Sequence, residues 1–228
     1  MDHNLWNLKT AIFHLERRAE QLTQEVSQAT YHLRDAKAKQ LEYSGSFRSF
    51  LDILSGKQEA RSYELHSTLS RAEARLTELK REQGDVSLKL EETRSLLNSL
   101  PPASDPRGEA RYCIACLTVT LPEADAALTA MGVQIRGAVP GQIITPEQRQ
   151  QIYGEADRRA MVCANLLQQL EGALSQLSIP FELPACYLNP VAYLANATEY
   201  TRRDRLNKLI HQTNQLQNKL PALLSQLE

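Results

Sequence analysis

The residues best equipped for chemistry are the four cysteines. Cys113 and Cys116 stand as a Cys-x-x-Cys pair, and Cys163 and Cys186 stand apart. A structural zinc site needs four ligands, usually as two paired sets; here there is one pair, with no His near it in sequence. A redox dithiol wants its pair at a helix N-terminus that follows a strand, and no strand precedes this one. Free Cys is among the most buried residue types, so core packing is the expectation for all four. His3, His14, His32, His66 and His211 form no cluster. No Glu-x-x-His occurs, which removes the di-iron carboxylate bundle. There is no His-Glu-x-x-His, Walker loop, Gly-x-Gly-x-x-Gly, Gly-x-Ser-x-Gly or EF-hand loop either. No catalytic residue, metal ligand or cofactor is assigned, and the chain is read as a non-enzyme.

Two other clusters offer contacts rather than catalysis. Arg202, Arg203, Arg205 and Lys208 form the densest basic patch, with Tyr200 beside it. Such a patch can hold phosphate or nucleic acid, but without a second basic patch a solvated helix face with local ion pairs is the favoured reading. Phe47, Phe50, Leu51, Ile53 and Leu54 crowd a second stretch, beside Arg48 and Lys57. Surplus apolar residues at the end of a helical hairpin can enter a membrane interface or dock a partner; they can also plug the tip against water.

The elements that carry these clusters follow from periodicity. From Leu5, alternating steps of three and four pick out Leu8, Ile12, Leu15, Ala19, Leu22, Val26, Ala29, Leu33, Ala36, Gln40, Tyr43, Phe47, Phe50 and Leu54, all apolar or aromatic except Gln40. A seam held over about seven heptads marks a coiled coil rather than a globular helix. A second seam runs from Leu65 through Leu69, Ala72, Leu76, Leu79, Gln83, Val86, Leu90, Thr93 and Leu97 to Leu100. Pro101 and Pro102 stop it. Gly56 follows the first seam at the place a left-handed cap prefers. The spacing predicts one helix to about residue 54, a turn near Ser55-Gly56 and an antiparallel return, each arm about 65–75 Å long. Gly45 costs about 1 kcal/mol inside a helix, which leaves a separate short tip helix as the alternative. In shape alone such a hairpin resembles the arm of seryl-tRNA synthetases and the membrane-remodelling hairpins of the phage-shock and ESCRT-III type; no motif of theirs matches residue by residue, and no family is assigned.

Beyond the prolines, Arg111–Leu121 reads as helix despite its strand-like Thr-Val-Thr. Thr120-Leu121-Pro122-Glu123 reads as a capping box restarting a helix, and Thr145-Pro146-Glu147-Gln148 as a second box with Pro in the first turn. The helix after Thr145 buries Ile152, Ala156, Cys163, Leu167, Leu170, Leu174 and Leu177 on one stripe. The apolar stretch 179–190 is expected to lie extended along the helical body. Asn196-Ala197-Thr198-Glu199 offers another box, and a last helix carries the seam Leu206, Leu209, Thr213, Leu216, Leu220, Leu223 and Leu227.

The expected fold is all-α: a long antiparallel coiled-coil helical hairpin over residues 1–100, its tip near 45–57, and a helical bundle region over 103–228 packed on the hairpin base. The 228 residues carry 26 Lys and Arg against 27 Asp and Glu, a balance that argues against a protein built to coat nucleic acid. No apolar run approaches the ~18–20 residues of a bilayer span, and Met1-Asp2-His3-Asn4 opens without a signal-peptide pattern, so a reduced cytoplasmic setting is expected. The expected function is non-catalytic: a coiled-coil interaction or scaffolding protein that self-associates or binds a protein partner. A peripheral membrane-binding or remodelling role through the tip is the alternative, and an enzyme or nucleic-acid accessory factor stands last.

Overall fold

The computed structural model describes residues 3–45, 52–100, 105–135, 145–195 and 199–227. The fold is all-helical, with no strand among the described residues. The helices are α1 (His3–Ser44), α2 (Gln58–Asn98), α3 (Pro106–Ile135), α4 (Pro146–Gln176), α5 (Pro190–Ala195) and α6 (Glu199–Gln226), with a 3-10 turn at Ala185–Tyr187. Residues 52–54 are also helical. The chain divides into two compact units: residues 11–100, and residues 1–10 together with 101–228. The start of α1 thus belongs with the C-terminal helices and not with the rest of residues 1–100.

In the unit 11–100, every described seam position of α1 and α2 is buried or half-buried. Leu22, Ala29, Leu79 and Val86 form its core, with Leu15, Ala19, Val26 and Leu76 packed against them. Charged pairs join the two helices: Glu16 with Arg94 at 2.6 Å, Arg18 with Glu82 at 2.7 Å, Glu25 with Arg75 at 3.2 Å and Lys37 with Glu73 at 3.4 Å. As the number rises along α1, its partner on α2 falls overall. α1 ends at Ser44, short of residue 54, and Gly45 is a turn. Residues 46–51, which both readings of the tip require, lie outside the described residues. Gly56 has φ of 70°, a conformation a Cβ would strain.

In the other unit, α3 packs on both α4 and α6. Its Cys113, Ile114, Cys116, Leu117, Leu121, Ala124 and Leu128 are buried, which explains why helix wins over strand in 111–121: two neighbours need apolar surface on more than one side of a rod. By length and composition α3 is also apolar enough to cross a membrane, a property the sequence reading of short apolar runs did not register. The restart expected at Thr120-Glu123 is wrong, because α3 continues through Pro122. The cost of a proline there is the missing N–H bond to Thr118 O; the nearby hydroxyls bond back to other carbonyls, Thr118 Oγ1 donating to Ile114 O at 2.9 Å and Thr120 Oγ1 to Cys116 O at 3.1 Å. Arg159 of α4 reaches Glu123 of α3 at 3.2 Å and Glu155 at 2.6 Å.

The start of α4 is the reciprocal box expected: Thr145 Oγ1 accepts from Gln148 N, and Thr145 N donates to Gln148 Oε1 at 3.0 Å, with Pro146 in the first turn. The helix ends in a left-handed cap. Ser178 has φ of 57°; Ser178 N donates to Ser175 O and Ile179 N to Leu174 O, the paired bonds that satisfy terminal carbonyls. Residues 179–190 are not extended throughout. They turn through the 3-10 segment and then enter α5, which starts because Asn189 Oδ1 accepts from Ala192 N at 2.9 Å and Pro190 fits the first helical position. Every seam residue of α6 from Leu206 to Leu227 is buried.

Candidate functional site

The four basic residues of the sequence patch separate into two pairs. Arg202 Nε donates to Leu194 O at 3.3 Å, and Arg205 Nη1 donates to Tyr193 O at 2.8 Å. Both carbonyls lie in the last turn of α5, the part of a helix whose carbonyls lack donors within it, and a cation at a helix C-terminus is electrostatically favoured. The Arg205 guanidinium also lies 5.3 Å from the Tyr193 ring centroid. Arg202 further faces Asp157 of α4, whose carboxyl is pushed above its ordinary value by burial and pulled partly back by that guanidinium. Arg202 and Arg205 therefore cap α5, while Arg203 and Lys208 are exposed.

Lys208 enters a different site. It lines a groove of about 620 Å³ between α6 and the segment 180–186. Lys208, Gln212, Lys219, Ala222, Leu223 and Gln226 form the α6 wall, and Pro180, Phe181, Pro184, Cys186 and Tyr193 lie opposite. Their spacing on α6 follows from helical period, next to the buried seam. The 3-10 turn is joined to α6 by a buried bond: Tyr187 Oη and Thr213 Oγ1 are 2.6 Å apart, and Thr213 Oγ1 donates to Leu209 O at 2.8 Å. Leu183 N donates to Glu171 Oε1 at 3.1 Å and Gln168 Nε2 to Leu188 O at 3.2 Å, which tie the segment to α4. Sequence reading placed this segment against the body from its apolar content, but missed α5 and the groove. Asn189-Pro190 was the available signal for α5.

The cysteines pack. All four are buried thiols outside any disulfide. Burial pushes the Cys113 and Cys116 thiols from 9.0 up to about 12, and raises Cys186 as well. Thiols so placed stay protonated at neutral pH and are poor nucleophiles and poor metal ligands. Among the described residues no three His, Cys, Asp or Glu side chains converge as a metal-binding group.

Of the tip residues, Phe47, Phe50 and Leu51 lie outside the described residues. Ile53 and Leu54 are 51% and 70% exposed. Asp52 Oδ2 accepts from Tyr43 Oη at 3.0 Å, which links residue 52 back to α1 across Gly45. Other large apolar side chains off the seams are also open to water: Tyr31, Leu41, Tyr63, Leu88 and Leu96. Comparison with protein-family models, with characterised proteins and with solved structures finds no match.

Proposed function

We propose that this chain is a non-catalytic interaction protein of the cytoplasm whose residues 11–100 form an antiparallel two-helix coiled coil that associates with a second copy of itself. Written as heptads with Leu5 at position a of the first seam and Leu69 at position a of the second, Glu16, Lys37, Glu73 and Arg94 fall at e, and Arg18, Glu25, Arg75 and Glu82 fall at g. The four ion pairs thus join e to e and g to g. Helices running in opposite directions bring like flanks together, whereas parallel helices pair g with e. This pairing supports the hairpin reading.

The observation that carries the association reading is the exposed apolar row off the seams. Leu41 is 73% exposed and Tyr63 is 78% exposed. Both fall at position b, so both stand on the flank of the Lys37–Glu73 pair. Two helices leave both flanks of their seam open, and large apolar residues there lower free energy when covered. Sedimentation equilibrium tests this. The full chain is expected to dimerise, and Leu41→Glu with Tyr63→Glu is expected to return it to monomer with unchanged helicity. A monomeric parent at high concentration contradicts self-association.

The exposure of Ile53 and Leu54 beside the Gly56 turn favours a second reading, docking of the tip on a membrane interface. Under that reading the chain co-sediments with anionic vesicles, and Ile53→Ser with Leu54→Ser abolishes it. Failure of the parent to sediment rejects this reading alone.

A further inference from the structure

We propose that a cavity at the N-terminus of α3, bounded by Trp6, Arg107 and Arg111, binds a small oxyanion: a phosphate or carboxylate group carried by a soluble molecule. The cavity encloses about 330 Å³. Trp6, Gly108, Arg111 and Tyr112 line it together with Arg107 and Asp105.

Two buried donors on this cavity have no acceptor among the described residues. Trp6 is 8% exposed, and its indole Nε1 is buried without a hydrogen-bond partner. Arg111 Nε is in the same state. The Arg111 guanidinium is held in place from its other side, where Nη2 donates to Leu227 O at 2.6 Å, so Nε keeps its direction. A buried donor left unpaired is costly, and its cost is relieved by whatever acceptor enters. Both orphans are N–H groups. A cation or a donor-only ligand therefore gains nothing here, and an oxygen acceptor is the group that either N–H would take.

The start of α3 adds to the same polarity. The first intrahelical bond is Glu109 N to Asp105 O at 2.9 Å, and Pro106 has no N–H, so the N–H groups of Arg107 and Gly108 precede the helical ladder. The positive end of the helix dipole lies there. Gly108 is what lets the indole come so close: a Cβ on it would collide with the Trp6 ring and with the Asp105 carboxylate. Lys9 Nζ lies 4.2 Å from the ring centroid of Trp6. Asp105 is the one acid of the lining, against Arg107 and Arg111, and the balance favours an anion. Guanidinium groups suit both phosphate and carboxylate because they present donors in a planar fork.

The test uses the fact that Trp6 is the only tryptophan, so its emission and its indole N–H resonance report this cavity alone. The full chain is titrated with inorganic phosphate and, separately, with acetate, each against sodium chloride at matched ionic strength. A saturable shift of both signals is expected, with a Kd on the order of 1 mM or tighter. A response to phosphate but not acetate assigns a phosphate-bearing ligand; the reverse assigns a carboxylate. Arg107→Gln, at an exposed position, is expected to weaken binding about tenfold with unchanged helicity. Trp6→Phe keeps the ring and removes the donor; its melting temperature should lose most of the rise that the anion gives the parent. The proposal is overturned by chloride-like behaviour of both anions up to about 50 mM, or by undiminished binding in Arg107→Gln.

Discussion

In α6 the heptad pattern from Leu206 to Leu227 lies wholly out of water, whereas the same pattern in α1 and α2 is mostly half-buried, with full burial gathered around Leu22, Ala29, Leu79 and Val86. The sequences of the two stripes are alike. Their surroundings differ. α6 and α4 both pack on α3, so each seam has more than one neighbour to close over it. Among the described residues of 11–100, each seam packs on the other alone. Periodicity specifies which side chains face inward; the number of neighbours decides how dry they become, and therefore how much each contributes.

This difference is testable by truncation. Leu167→Ala in α4 removes a fully buried side chain and is expected to cost about 2–5 kcal/mol in urea unfolding. Leu76→Ala in α2, half-buried, should cost about 1–2 kcal/mol, since part of its surface is already wet. Equal losses would mean that residues 11–100 are as dry in solution as the body, as a dimer would make them. Repeating Leu76→Ala across protein concentrations separates those cases.

The buried Tyr187–Thr213 bond sharpens the account of the body. Thr213→Val leaves the Tyr187 hydroxyl buried without its acceptor and should cost about 1–3 kcal/mol, against roughly 0.5–1.5 kcal/mol for Tyr187→Phe, which leaves Thr213 still donating to Leu209 O. The reverse order would mean that the phenol finds water.

Alkaline pH should act most strongly on the body. The Cys113 and Cys116 thiols titrate near 9.0 when free and near 12 in the fold. Above about pH 9 the unfolded chain loses protons that the folded chain keeps, so stability falls with rising pH. The slope is about 1.4 kcal/mol per pH unit for each thiol until the folded value is reached. Below pH 9 these thiols give no pH dependence. Thermal melts from pH 8 to 11 read this, and Cys113→Ala with Cys116→Ala should reduce the slope, with buried Cys186 and Tyr187 keeping the remainder.

The smallest effect is at the end of α4. Ser178 occupies the left-handed conformation that a cap normally gives to glycine. Ser178→Gly is expected to raise stability by about 0.5–1 kcal/mol, read as a rise in melting temperature.

Wherever a feature depends on neighbours in sequence, the residues show it. The three seams, the Thr145–Gln148 box and the helical state of 111–121 all follow from period, capping chemistry and apolar content. The continuation of α3 through Pro122 was not legible, because a capping-box pattern and a threonine that bonds back to its own helix use the same side chain. The role of Arg202 and Arg205 was hidden for another reason. Their acceptors, Leu194 O and Tyr193 O, belong to a helix whose start at Asn189-Pro190 must be recognised first. The Trp6 cavity joins residues about a hundred positions apart in the chain, a separation no local pattern can encode.

The pairing of α1 with α2 inside one chain is the claim on which the rest depends, and a distance measures it. Spin labels at positions 37 and 73, with the native cysteines replaced and the labelled chain diluted into unlabelled chain, report the intramolecular separation. The hairpin predicts labels on the order of 10–20 Å apart, the interaxial spacing plus the label arms. A separation of many tens of ångströms, or a short distance that vanishes on dilution, would mean that α1 finds its partner in another molecule.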